Sequence, residues 1–350
     1  MSRFLQLHAL TFYPPSNLNR DDLGRPKTAT VGGAPRLRIS SQCLKRSWRT
    51  SAVFEETLAG NIGTRTKRIG SEIVYPRLLE GGIDEKRADD WTQKIAAEFG
   101  KLQKKDKKDP TAHLETEQLV HFSPMEISQI HTLVDQLIER QSEPTKEELA
   151  ELHQKGRSVD IALFGRMLAE HPATNVDAAA QVAHAITVNR VALEDDFFTA
   201  VDDLNPEGET GAGHVDEHWY GSGTFYLYVC VNRDLLIENL GGDEALANQA
   251  LRALTKAMAT VSPSGKQNSF AALARASYVR AEKGNAAPRS LSIAFVDEVW
   301  NANPEKSITR LEDTRKELDE AYESAPAKHY CFKPGSGSKL SELLNFVAEA

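Results

Sequence analysis

The chain has 350 residues, 40% apolar and 26% charged, a balance that fits a folded globular protein of two or three domains. No apolar run approaches the ~20 residues of a membrane span. No basic and apolar leader opens the sequence. Three widely separated cysteines, Cys43, Cys230 and Cys331, give neither a zinc ribbon nor a disulfide framework. A cytoplasmic protein with no membrane contact is expected. The formal net charge is −8, yet residues 1–70 carry 12 basic against 4 acidic side chains. Affinity for a polyanion depends on a local basic surface, because screening acts over about 8–10 Å. The uneven distribution therefore suits a local phosphate-binding site, with a solvated basic face as the plain alternative.

Residues 4–12 are rich in strand formers and predict a first strand that Pro14 and Pro15 end. Residues 13–38 read as a long polar loop containing Gly24, Pro26, Gly32, Gly33 and Pro35, and a loop of that length is usually functional or disordered. Ser40 or Ser41 caps a following helix that runs to about residue 59, with Gly60 as a stop. Residues 71–155 predict several charged helices, including 84–103 and 123–140, punctuated by Pro110, Pro124 and Pro144, with a solvated Lys-rich loop at 101–108. Residues 158–168 and 182–192 return to a core, and 193–222 form an acidic excursion that ends among glycines. A strand at 223–232 and an amphipathic helix at 245–260 follow, then a Pro-Ser-Gly turn at 263–265. Strands are expected at 275–281 and 289–296. A charged helix from near Pro304 places Ile308, Leu311, Leu318 and Tyr322 on one stripe.

The sequence offers no convincing active site. His214-Val215-Asp216-Glu217-His218 has the spacing of an inverted zinc-protease motif, but the surrounding glycines oppose a helix and no third ligand is evident. No G-x-S-x-G elbow is present, and Gly335-Ser336-Gly337-Ser338-Lys339 lacks the spacing of a phosphate-binding loop. Asp21-Asp22 can hold a divalent metal, although such a pair beside Arg20 is more often a solvated loop feature. No cofactor, no metal and no enzymatic activity are expected.

The run at 36–49, Arg-Leu-Arg-Ile-Ser-Ser-Gln-Cys-Leu-Lys-Arg-Ser-Trp-Arg, carries more. On a helix from Gln42, positions 42, 45, 46 and 49 share one face, and Leu44, Trp48 and Ala52 share the opposite one. Gln42, Lys45, Arg46 and Arg49 would then face outward together beside a helix N-terminus with hydroxyls at Ser40 and Ser41, a natural seat for phosphate. Such a face grips a backbone and has little means of reading bases. An ordinary amphipathic surface helix is the alternative.

Ser16-x-Leu18-Asn19-Arg20-Asp21-Asp22, Gly32-Gly33 and Arg38-Ile39-Ser40-Ser41-Gln42-x-Leu44-Lys45-Arg46 resemble the start of the CasC-type backbone subunit of Cascade, the type I-E CRISPR surveillance complex. The likeness continues at Val159-Asp160-Ile161-Ala162-Leu163-Phe164-Gly165-Arg166-Met167 and at Ala183-His184-Ala185-Ile186-Thr187. It recurs at Phe198-Thr199-Ala200-Val201-Asp202-Asp203-Leu204 and Gly265-Lys266-Gln267. The resemblance implies an α+β fold: an RRM-like (ferredoxin-like) palm, an inserted helical finger domain and a β-hairpin thumb. Its expected boundaries are 1–60, 181–192 and 223–350 for the palm, 61–180 for the finger and 193–222 for the thumb. It also implies several copies polymerising along one CRISPR RNA (crRNA), with other Cascade subunits as partners and a target DNA strand paired to the guide.

By that resemblance Lys27, Ser40, Gln42, Lys45 and Arg49 hold the RNA backbone, and Arg46 and Arg20 join them on physical grounds. Arg166, Lys266 and Gln267 are carried as further RNA contacts from their matching blocks. Met167, Phe198, Thr199 and Val201 are expected to wedge against displaced bases. On sequence alone Phe197-Phe198 reads as strand core, and the resemblance reverses that for Phe198. The acidic stretch 205–218 departs from the pattern. A second reading is a type III-like backbone subunit that cleaves target RNA with a metal-dependent Asp21 or Asp22.

Overall fold

The computed structural model describes residues 2–152, 157–168, 172–199 and 215–349. Strand β1 (Phe4–Ser16) is buried on both faces over most of its length because it is central, paired antiparallel on its two sides. It continues past Pro14 and Pro15. The pairing register slips between Tyr13 and Ser16, and prolines, with no N–H to offer, are tolerated in such a bulge. Residues 13–38 are likewise not one loop. Strands β2 (Thr28–Val31) and β3 (Ala34–Ile39) form a hairpin whose turn, Gly32-Gly33, has φ of 57° and 73°. Positive φ at both central residues is what a tight hairpin of this kind demands. Helix α1 (Ser41–Arg49) then ends at Thr50, and α2 (Ala52–Thr57) starts afresh, so the expected single helix to residue 59 is two. Ala52 is consequently exposed, and Phe54 is the buried residue of α2.

Residues 58–180 and 234–247 make a separate compact unit. It holds the paired strands β4 (Thr64–Thr66) and β5 (Val120–Phe122), and helices α3 (Tyr75–Glu80), α4 (Glu85–Ala97), α5 (Pro124–Arg140), α6 (Lys146–Glu151) and α7 (Val159–Phe164). Ile69, Leu78, Trp91, Phe122, Ile130 and Val134 belong to its core. Ser123 and Glu126 cap α5 reciprocally. The segment 234–247, which the sequence reading left in the palm, belongs to this unit.

The other unit comprises residues 1–57, 181–233 and 248–350. Strand β6 (Ala180–Val182) leads into β7 (Ala185–Thr187), and β8 (Glu194–Thr199) pairs with the first part of β9 (Val215–Asn232), from Glu194↔Tyr220 to Thr199↔Val215. After α8 (Arg233–Asn239), α9 (Glu244–Thr260) and α10 (Gln267–Phe270), β10 (Tyr278–Gly284) returns to the free side of β1. Helix α11 (Pro304–Ala321), β11 (Lys328–Phe332) and α12 (Leu340–Ala348) complete the chain. The sheet order is β11-β10-β1-β9-β7-β3-β2, an antiparallel arrangement in an α+β fold.

Residues 289–296 are not a strand. They contain a turn of 3-10 helix, and Leu291, Ala294 and Phe295 enter a core with Tyr226, Tyr278 and Leu311 at helical spacing. Tyr322 falls past the end of α11 and is exposed, unlike Leu311 on the expected stripe. Next to that core Arg280, Arg289 and Arg315 pair with Glu282, Glu312 and Asp319, so these cations are neutralised internally.

Candidate nucleic-acid interface

Helix α1 owes its orientation to Leu44 and Trp48, 4% and 1% exposed, which anchor one side in the core. Gln42 and Arg46 are exposed on the other side, with Lys45 and Arg49 half-buried beside them. Burial pushes the Lys45 ammonium below its ordinary pKa, because leaving water penalises the charged form. An approaching anion offsets that penalty. Ser40 caps the helix: its Oγ accepts the Cys43 N–H at 3.3 Å. The Ser41 and Gln42 amides in the first turn then have no intrahelical acceptor, which adds to the positive end of the helix.

The loop before β2 is locked onto this helix start. The Ser40 N–H donates to Asn19 Oδ1 at 2.9 Å, and the Lys27 N–H donates to the Asn19 carbonyl at 2.8 Å. Asp21 Oδ1 accepts from the Leu23 and Arg25 amides at 3.0 and 2.9 Å, and Asn17 Nδ2 donates to the Gly24 carbonyl at 2.9 Å. Exposed Arg20 pairs by backbone with Pro26, so it and half-buried Lys27 project from an ordered loop. Gly265 abuts the same loop: a Cβ there would lie 2.3 Å from the Leu18 carbonyl oxygen. That approach brings in Lys266, whose Nζ donates to His218 Nε2 at 3.0 Å, while the Arg25 guanidinium lies over the Trp219 ring at 4.7 Å. The loop and the root of the β8–β9 hairpin thus form one surface with α1.

Other expected contacts fare differently. Arg166 is buried: its Nη1 donates to Glu126 Oε1 and Oε2 at 2.7 and 2.8 Å and to the His121 carbonyl at 3.1 Å, and its Nη2 donates to the Thr174 carbonyl at 3.0 Å. These bonds occupy the guanidinium inside the unit of residues 58–180 and 234–247 and withdraw it from the phosphate-binding set. Gln267 is corrected in the same way, since its side-chain amide donates to the carbonyls of Pro263 and Ala272 and shapes its own turn. Arg36, counted in the basic segment, is 0% exposed and donates to the carbonyls of Thr187, Phe295 and Val296. Met167 is 83% exposed. Phe198 is half-buried against His218, ring centroids 4.4 Å apart, and Phe197 is 62% exposed, so neither is strand core. Val201, the side chain of Thr199, and most of the acidic stretch lie outside the described residues. The described part of the His-x-x-Glu-His motif, from Val215, is in strand β9 and so forms no helical metal site. No group of three or more metal-ligating side chains occurs among the described residues, and no helix among them is long and apolar enough to cross a membrane.

The sequence matches the CT1975-like protein family over residues 5–345. The chain belongs to that family. Two solved structures are similar over 99% of both chains. One, from a "CRISPR RNA-guided surveillance complex, pre-nicking", shares 32% identity with a TM-score of 0.85. The other, from a "CRISPR RNA-guided surveillance complex", shares 27% identity with a TM-score of 0.75. No curated protein matches. In this CT1975-like chain, sequence reasoning missed the structural part played by Asn19 and the contacts of Arg25 and Arg38. Arg38 Nη1 donates to His184 Nδ1 at 3.1 Å. Asn19 lay within a quoted motif, but only the fold shows that its two bonds tie the loop to the helix.

Proposed function

We propose that the chain is a CasC-type, crRNA-binding backbone subunit of a type I-E CRISPR interference complex, Cascade, working in the cytoplasm in antiviral defence. The observation that carries this reading is the outward row Gln42, Lys45, Arg46 and Arg49 on a helix anchored by Leu44 and Trp48 and latched at its N-terminus by Asn19. The likeness to chains of CRISPR RNA-guided surveillance complexes supports it. Cationic and amide groups at this spacing neutralise phosphates without reading base edges, so any guide sequence is accepted. Specificity then passes to pairing between the guide and a target DNA strand.

Copies of the chain assemble head to tail along the guide into a helical filament, bounded by RNA length and by other Cascade subunits. Strands β9 and β10 flanking β1, with α1 following β3 in the chain, are read as an RRM-like palm. The β8–β9 hairpin is read as the thumb, with Phe198, Thr199 and Val201 pressing on displaced bases. Met167 is read as a further wedge. The chain is a binding subunit and not a nuclease: Asp21 organises its own loop.

The test is the Lys45→Ala, Arg49→Ala double variant against single-stranded RNAs of unrelated sequence. Affinity should fall by a similar factor for all of them. The log–log salt slope should flatten by about 1.4, two phosphate contacts at about 0.7 each on a single strand. Unchanged affinity and slope in a folded protein would remove α1 from the RNA site.

A further inference from the structure

Strand β3 ends with Ile39 paired to Ala185, so the next register positions are Ser40, the cap of α1, and His184. Arg38 lies just before this point. Its Nη1 donates to His184 Nδ1 at 3.1 Å, its Nε reaches the Thr28 carbonyl at 3.4 Å, and its backbone N–H donates to the Lys27 carbonyl at 2.8 Å. Asn19, Lys27 and Arg38 line one cleft. Since Nδ1 accepts from the guanidinium, the proton of neutral His184 sits on Nε2, leaving an exposed donor.

The charged groups acting on His184 are Arg38 of β3 and Lys27 of the preceding loop, and both are cations. Two cations and an imidazole donor beside a capped helix N-terminus form a setting that an anion completes. We propose that Arg38 and His184 bind a phosphate of the RNA backbone, extending the row on α1 to the end of β7. This rests on the RNA-binding reading above.

A proton is linked to that contact. In the free protein, burial first, then Arg38 and Lys27, lower the His184 pKa below its ordinary value. A phosphate opposes the two cations and favours the imidazolium. Once protonated, Nδ1 no longer accepts from Arg38, and both groups turn their donors to the same phosphate. Binding therefore takes up a proton, and affinity rises as pH falls through the range between the free and bound pKa values.

The experiment measures anisotropy of a labelled single-stranded oligouridylate with the full chain, as Arg38→Gln, Arg38→Lys and His184→Gln, with melting of each variant recorded. Arg38→Gln should weaken binding and flatten the salt slope by about 0.7, and Arg38→Lys should restore the slope. His184→Gln should match the parent at about pH 8 and bind several-fold more weakly at about pH 6. Unchanged affinity and slope in Arg38→Gln, or parallel pH profiles for parent and His184→Gln, would overturn the pair. If Arg38→Gln does not fold, Arg38→Lys and the exposed His184→Gln decide. Loss of binding in the Lys45→Ala, Arg49→Ala control alongside would show that the RNA reading itself stands. A control that binds like the parent would fail that reading instead.

Discussion

Replacing Arg166 by alanine separates a structural role from an RNA contact. The side chains of Arg166 and Glu126 are 2% and 3% exposed, and the guanidinium makes two bonds to the carboxylate and two to backbone carbonyls. Arg166→Ala leaves the Glu126 carboxylate, among the described residues, with the Ser123 amide and hydroxyl as donors. It also removes a donor from the carbonyls of His121 and Thr174. Breaking one partner of a buried pair costs about 3–5 kcal/mol. At about 2–4 °C per kcal/mol this lowers the melting midpoint by roughly 6–20 °C. The assay is thermal unfolding of the full chain, with RNA affinity measured well below the transition. Affinity per folded molecule should match the parent. A variant that melts like the parent but binds RNA more weakly would refute the reasoning and return Arg166 to the phosphate-binding set.

Incubating the assembled complex with complementary single-stranded RNA and Mg²⁺ should leave the RNA intact. Regularly spaced cuts that vanish in Asp21→Ala or Asp22→Ala would establish the RNA-cleaving alternative. A Phe198→Ala, Val201→Ala protein should fold and coat RNA normally, because α1 is untouched, while its guide–target duplex is impaired or loses periodic base displacement. If that subunit instead melts far lower and target binding is unchanged, these side chains are structural.

Local signals carried part of the fold. Helix α5 was readable because Ser123 and Glu126 are spaced for reciprocal capping ahead of an apolar repeat. The outward row on α1 was readable because Leu44 and Trp48 fix which side is buried. The β2–β3 hairpin was missed although Gly32-Gly33 is a hairpin signal. Proline and glycine density over 13–38 outweighed two short strands. At 289–296 a strand was expected, whereas the fold uses i, i+3, i+4 spacing to bury Leu291, Ala294 and Phe295. Long-range pairing was not legible at all. Arg166 finds Glu126 40 residues away, and Arg38 finds His184 146 residues away. A basic side chain's fate, buried pair or open phosphate ligand, is decided by such partners.

The most direct measurement is a structure of this chain assembled on a single-stranded RNA. Phosphate oxygens should lie within hydrogen-bond distance of Ser40, Gln42, Lys45, Arg46 and Arg49, with no base edge contacted by that face. RNA bound elsewhere, with the α1 row left in solvent, would contradict it.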